Sequence, residues 1–240
     1  MKLCCLADLH GNLPEIPPCD LVIIAGDITP PHQFYWEAIN QTYWLNGEFA
    51  EWTQKLPCKE MVFIAGNHDR GFEQAKSLID FDKIRGHYLY NSSIELLGKK
   101  IWGSPYTPWF NDWSFNFQKN NHAQAQLCWS QIPDDTQLVI THGPPYGCND
   151  TIFTPKNYGY KSVGDIWLKI RLQTLMELEL HICGHVHEGN GLSIIENTPV
   201  YSLNACYVDE TFHGIRQPWT IDLPIVQNKE KQNEVSSRKR

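Results

Sequence analysis

Five short blocks in this chain combine carboxylates, amides and imidazoles at positions that could hold metal ions. They are Asp8-Leu9-His10-Gly11, Gly26-Asp27, Gly66-Asn67-His68-Asp69, His142-Gly143 and Gly184-His185-Val186-His187. Asp8, Asp27 and Asn67 offer hard oxygen donors, and His10, His142, His185 and His187 offer imidazole nitrogens. That mixture suits manganese, iron or zinc better than calcium or a closed thiolate zinc site. One carboxylate can bridge two ions, and two ions about 3.5–4 Å apart can hold a hydroxide nucleophile and clamp a phosphoryl oxygen.

Each block follows an apolar, β-branched run. Leu3–Ala7, Leu21–Ala25, Met61–Ala65, Leu138–Thr141 and Leu180–Cys183 read as buried strands. Between them, Phe34–Leu56 carries apolar residues at helical spacing and predicts one or two helices with a break at Asn46-Gly47. Gly71–Leu78, Ala123–Gln131 and Val163–Met176 predict further helices, and Tyr146–Tyr160 reads as a loop. Short strands are expected at Tyr88–Asn91, Ile94–Leu97 and Lys100–Gly103, and β-structure at Leu192–Ile195, Val200–Val208 and Trp219–Leu223. Buried strands with helical crossovers make an α/β protein whose polar residues gather beyond the carboxyl ends of the strands. A single domain over 1–226 with a charged, disordered tail at 227–240 is the expected organisation.

Composition narrows the function. The net charge is −7, and the segment after Pro224 carries five basic residues against Glu230 and Glu234, so the body is about −10. Such a body is a poor ligand for nucleic-acid polymers, whose affinity rests on Lys and Arg at phosphates, whereas bound cations would invert the local field and attract a small phosphate ester. The eight cysteines form no C-x-x-C pair, and Cys4, Cys5 and Cys183 lie inside apolar runs. Small buried thiols in a reducing compartment are expected. With no run of membrane-span length and no secretory pattern, a cytoplasmic protein is the expectation.

Taken together, the D-x-H, G-D, G-N-H-[DE], H-G and G-H-x-H blocks, in this order across Asp8–His187, resemble the calcineurin-like metallophosphoesterase superfamily. The resemblance implies a β-sandwich of two mixed sheets flanked by helices. It implies one ion held by Asp8, His10, Asp27 and His187, and a second held by Asp27, Asn67, His142 and His185, with Asp27 bridging. Manganese is the favoured ion, with iron or zinc as alternatives. His68 matches the family's catalytic histidine, which contacts the phosphate and assists the leaving group. Ser104–Asn116, Thr141–Pro145, Gly184–Gly189 and Tyr201–Ala205 also look like the small metallophosphoesterase-domain-containing proteins. That group implies a phosphodiesterase acting on a cyclic-nucleotide-like substrate; a phosphomonoesterase or nucleotide pyrophosphatase on the same site is the alternative, and a catalytically silent scaffold on this fold ranks below both. The chain departs from the protein phosphatase branch, because Gly26-Asp27 continues as Ile28-Thr29-Pro30.

Other residues have plainer readings. His32, His87, His122, His181 and His213 match no block and are expected to be structural. The aromatic run at 104–117 reads mainly as a satellite core, with one or two rings free to stack on a base. Arg70 reads as a solvated side chain, and Asp69 as either a support for a ligand or a turn residue.

Overall fold

The computed structural model describes residues 1–31, 36–154 and 158–224. In chain order the strands are β1 Lys2–Leu6, β2 Cys19–Ala25, β3 Cys58–Ile64, β4 His87–Tyr88, β5 Ser92–Leu96, β6 Lys99–Ser104 and β7 Leu138–Thr141. They continue with β8 Thr151–Thr154, β9 Gly159–Ser162, β10 Leu180–Cys183, β11 Gly191–Ile194, β12 Tyr201–Asn204 and β13 Trp219–Asp222. The α-helices are α1 Ala38–Trp44, α2 Ala50–Gln54, α3 Arg70–Gln74, α4 His122–Trp129 and α5 Ile166–Leu172.

Two mixed sheets form. The first runs β13-β1-β2-β3-β4 and the second β11-β12-β10-β7-β6-β5. The central strands of both are parallel, and β13, β11 and β5 pair antiparallel at the edges. Alternation along each strand decides the layers. Leu3, Cys5, Leu21, Ile23, Val62 and Ile64 pack against Ile101, Leu138, Ile140, Ile182 and Leu203 between the sheets. The intervening Cys4, Leu6, Val22, Ile24, Met61 and Phe63 face outward onto Trp44, Leu45, Phe49 and Phe72. On the far side, Trp102 and Val139 pack against Trp129 from α4 and Leu168 and Leu172 from α5. The result is the expected sandwich of two mixed sheets flanked by helices, with central strands buried on both faces and therefore apolar throughout.

Local differences from the sequence reading have local causes. The helix does not break at Asn46-Gly47: α1 and α2 are joined by a π-helical stretch, Leu45–Phe49. The Asn46 side chain donates to the Leu78 carbonyl (2.8 Å) and accepts from the Asp80 N–H (2.8 Å), so it does not compete for its own helix backbone. Phe34, where that helix was expected to start, lies outside the described residues, as do residues 225–240, which include the expected domain boundary and tail. The helix expected at 71–78 splits into α3 and a 3₁₀ turn at Lys76–Leu78. Helix α5 starts later than expected because Asp165 caps it, accepting from the N–H groups of Trp167 (2.7 Å) and Leu168 (3.1 Å). The expected loop at 146–160 contains half of a hairpin, β8–β9, whose Phe153 and Tyr160 are exposed. No helix among the described residues is long and apolar enough to cross a membrane.

Candidate metal centre

The carboxyl ends of β1, β2, β3, β7 and β10 meet at one edge of the sandwich. Beyond β1 and β2 the loops still run side by side: Asp8 N donates to Gly26 O, His10 N to Asp27 O and Gly11 N to Ile28 O, each at 2.9 Å. The second sheet is joined to them by Ala7 N to Ala205 O (2.9 Å), and within that sheet Gly184 N donates to His142 O (2.9 Å), holding the loops after β7 and β10 together. The structure thereby brings all eight residues of the five blocks together. Asp8, His10, Asp27, Asn67 and His142 are buried, and His68, His185 and His187 are partly open at the mouth.

The backbone at this edge is strained. Asp8, His10, Asp27 and His185 all adopt left-handed conformations, with φ between 44° and 69°. Non-glycine residues take that region at a cost of about 1–3 kcal/mol each, and such strain persists where surrounding structure enforces it. Glycines allow the close packing. A Cβ at Gly66 would overlap the Asp27 carboxylate, and a Cβ at Gly184 would overlap that of Asp8.

Asp27 lies at the centre. Its Oδ1 is 3.3 Å from His142 Nε2 and accepts from the His68 N–H at 2.8 Å. Its Oδ2 is 3.6 Å from His10 Nε2 and 3.9 Å from His68 Nε2. Asp8 Oδ1 is 3.6 Å from His187 Nε2, and both Asp8 oxygens accept from His185 N at 2.9–3.0 Å. Asn67 Oδ1 sits 2.9 Å from His142 Nε2 and 2.7 Å from His185 Nδ1. Two imidazoles are oriented from behind: His142 Nδ1 donates to Ala25 O (2.9 Å) and His187 Nδ1 to Asp209 O (3.0 Å). Those bonds aim each Nε2 into the site, the usual support for a ligating histidine.

Protonation follows from the same contacts. Burial alone would raise the Asp27 carboxyl, but His142, His68 and His10 bring it well below the usual carboxylate range. Burial would raise Asp8 as well, but His187 and His142 together bring its carboxyl below the usual range. Burial pushes His10 down to about 3 and His185 down to about 4, so their rings are neutral and carry free lone pairs. Burial would also lower His142, yet Asp27 raises it to about 9.

The donor set fits divalent cations. Among the described residues, neither buried ring nitrogen of His10 has a hydrogen-bond partner, an expensive arrangement unless something else occupies them. Among the described residues, candidate ligand atoms form three overlapping sets, each within 4.8 Å: Asp8, His187 and Cys206; His10, Asp27 and His68; and Asp8, Asp27 and His142. The sharing of Asp8 and Asp27 suits adjacent ions.

Asp69 has a definite role. Buried, it accepts from Ile28 N (3.0 Å), Thr29 N (2.8 Å), Thr29 Oγ1 (2.8 Å) and Gly66 N (2.8 Å), tying the loop after β2 to the loop after β3. Its carboxyl is pushed up to about 6 by burial and by Asp27. Arg70 is half-buried and lines a small hollow with His68 and Trp113 instead of being fully solvated. His181 is buried on two hydroxyls, Thr141 Oγ1 and Ser202 Oγ, each at 2.8 Å.

The mouth is a cleft of about 280 Å³ lined by Asp27, Asn67, His68, His185 and His187 with Phe110, Trp113, Phe212, Glu188 and Glu210. Within the aromatic run, Phe115 and Phe117 are buried and Phe110 and Trp113 reach the cleft. Trp113 meets the His68 ring edge-on at 3.7 Å between centroids, and Phe212 meets the His10 ring at 4.6 Å. Phe212 and Glu210 carry no motif, and nothing in their sequence surroundings marks them, whereas Glu188 directly follows the Gly184–His187 block. Cys206 has only an apolar stretch as its signal.

Comparison with known proteins agrees with this geometry. Residues 1–189 match the model of the calcineurin-like phosphoesterases. The chain is 31% identical to human and to mouse metallophosphoesterase domain-containing protein 1, across 95% of this chain and 72% of each relative. A UPF0046 protein of Caenorhabditis elegans is 27% identical, with 97% of this chain and 84% of that protein covered. One solved crystal structure superposes with a TM-score of 0.52 at 14% identity, covering 85% of this chain and 89% of the other, which speaks for the fold alone.

Proposed function

The chain belongs to the calcineurin-like phosphoesterase family, a family of metal-binding hydrolases of phosphate esters, and from that premise we propose that it hydrolyses a small phosphodiester with two divalent cations. Asp8, His10, Asp27 and His187 would hold the first cation, and Asp27, Asn67, His142 and His185 the second, with Asp27 shared. The observation that carries this reading is the convergence of these side chains around the buried Asp8 and Asp27, with Asn67 Oδ1 linking His142 to His185 and, among the described residues, both nitrogens of His10 left without a partner. When bound, such ions supply Lewis acidity, bringing water near neutral acidity and neutralising charge on phosphoryl oxygens.

The protein's own groups do the rest. His68 lies at the mouth, its backbone N–H tied to Asp27 Oδ1 and its carbonyl held by Gln41 Nε2 at 2.8 Å. From there its Nε2 faces the site and can pass a proton to the departing oxygen, which matters most for a poor leaving group such as a ribose hydroxyl. Trp113 packs against that ring and fixes its plane. Charge at the rim favours a diester over a monoester. The cleft carries Glu188 and Glu210 and neither Lys nor Arg among its described lining residues. A phosphodiester brings one negative charge and a monoester close to two at neutral pH, so the acidic rim repels the monoester more. Phe110, Trp113 and Phe212 offer flat apolar faces for a nucleobase, in keeping with a cyclic-nucleotide-like substrate.

The test is to strip the protein of metal, reload it with Mn, Fe, Zn or Mg, and assay bis-p-nitrophenyl phosphate beside p-nitrophenyl phosphate. Metal-dependent turnover of the diester with little of the monoester is the expected result, and Asn67→Ala should lose it while keeping the fold. Preference for the monoester would replace the diesterase reading with a phosphatase. Failure to bind any metal would overturn the proposal.

A further inference from the structure

The loop after β12 delivers a sulfur to the metal side of the site. Cys206 forms a parallel bridge with Ala7, fixed by Ala7 N to Ala205 O (2.9 Å) and Tyr207 N to Ala7 O (2.8 Å), so it stands beside the residue preceding Asp8. Its own N–H donates to Asn204 Oδ1 (3.0 Å), and Asn204 Nδ2 in turn donates to Gly184 O (3.3 Å) and Val186 O (2.9 Å). The Cys206 backbone is thus tied through Asn204 to the loop that presents His185 and His187, and its thiol donates to Val208 O at 3.4 Å. It is fully buried, and its Sγ lies within 4.8 Å of a carboxylate oxygen of Asp8 and a ring nitrogen of His187. A second observation marks the same half of the site as ligand-seeking. The His10 ring, 5.3 Å from that of His187 between centroids, has no hydrogen-bond partner among the described residues for either buried nitrogen. A cation stands behind the sulfur as well. Arg216 Nη1 is 3.9 Å from Sγ, and its guanidinium also donates to Val208 O and, at 3.1 Å, to His187 O.

We infer that Cys206 is a further protein ligand of the first cation, beside Asp8, His10, Asp27 and His187, and that its thiolate makes this position prefer a thiophilic ion, zinc, iron(II) or cobalt(II), over manganese or magnesium. The inference rests on the two-cation reading above. On binding, the S–H bond breaks, its proton leaves to solvent and an S–metal bond forms. No change of oxidation state is involved. The thiolate charge is met by the ion on one side and Arg216 on the other. Soft thiolate donors favour such ions, whereas oxygen-only sets suit magnesium and manganese.

The experiment loads the metal-free full chain with cobalt(II) and records its absorption spectrum. The expected result is a thiolate-to-cobalt charge-transfer band in the near ultraviolet beside the visible d–d bands. Cys206→Ser should lose the first and keep the second, and zinc affinity should fall by about tenfold or more with manganese affinity little changed. Visible cobalt bands without charge transfer in the unmodified protein would overturn the inference while leaving the two-cation reading intact. A charge-transfer band that persists in Cys206→Ser would overturn it too, because another cysteine would then be the donor. The band in the unmodified protein needs no variant to fold. If no cobalt binds at all, the two-cation reading itself fails.

Discussion

Replacing Asp69 by Asn is expected to loosen the metal centre without touching a ligand. The carboxylate accepts four hydrogen bonds: Oδ1 serves Thr29 N and Thr29 Oγ1, Oδ2 serves Gly66 N, and Ile28 N lies 3.0 Å from both. In Asp69→Asn the amide oxygen can keep the Thr29 contacts, but the NH₂ group then faces the Gly66 N–H. One charge-assisted bond is lost, at about 1.5–3 kcal/mol, and a buried donor is orphaned, at about 1–3 kcal/mol. Removing a carboxylate from a buried site gives part of this back, since burial opposes its charge. The net loss should be about 2–4 kcal/mol. Urea denaturation of metal-free protein measures it, as a lower midpoint at unchanged m-value. Because Asp69 ties the loop bearing Asp27 to the loop bearing Asn67 and His68, cation affinity should fall about 10- to 100-fold in calorimetric titration. Asp69→Asn protein within 0.5 kcal/mol of the parent, with unchanged cation affinity, would refute the argument that this carboxylate positions the two loops.

Three further outcomes are expected. Burial pushes His181 down to about 3, so the unfolded chain binds a proton near pH 6.5 that the folded chain refuses. Its contribution to stability is full above pH 6.5 and lost as pH falls toward 3, by about 1.4 kcal/mol per pH unit, and His181→Asn should flatten the unfolding free energy by one proton over that window. In Gly66→Ala the new Cβ would overlap Asp27 Oδ1, so elemental analysis should find less than full cation occupancy in a protein whose circular dichroism is unchanged. Trp113→Ala should raise KM for a cyclic nucleotide about tenfold, a stacked base being worth about 1–3 kcal/mol, and an unaltered KM would remove Trp113 from the substrate site.

The sequence makes the site legible where a strand carries it. Leu21–Ala25 and Met61–Ala65 are apolar at every position because one parity of side chains faces the other sheet and the other parity faces the helices. A polar residue straight after such a run has only the sheet edge to occupy. Hence Asp27 and Asn67 stand out, and so do His142 after Leu138–Thr141 and His185 after Leu180–Cys183. Residues that reach the site from irregular backbone give no such signal. Cys206 arrives through a bridge to Ala7, which no local pattern encodes. Phe212 and Trp113 come from loops whose aromatics have no period, and Phe115 in the same run is core. The β8–β9 hairpin escapes the reading because its exposed faces bear Phe153 and Tyr160 in place of an alternation of apolar and polar residues. Asn46-Gly47, a strong turn dipeptide by composition, is overruled by the contacts of Asn46 with Leu78 and Asp80.

The edge where the two sheets meet has a consequence for the order of assembly. Asp8, His10, Asp27 and Asn67 come from the first sheet and His142, His185 and His187 from the second, so neither of the two proposed cation positions is complete within either sheet. The hydrogen bonds from His185 to Asp8 close a loop spanning 177 positions of the chain. A nascent or half-folded chain therefore carries fragments of the site and no finished one. On the two-cation reading proposed above, cation capture would be a checkpoint passed only after the last central strands have docked, and the loaded ions would act as rivets across the seam. On that reading chelation should lower the unfolding midpoint of the whole sandwich, because any motion that parts the sheets would first have to give up both ions.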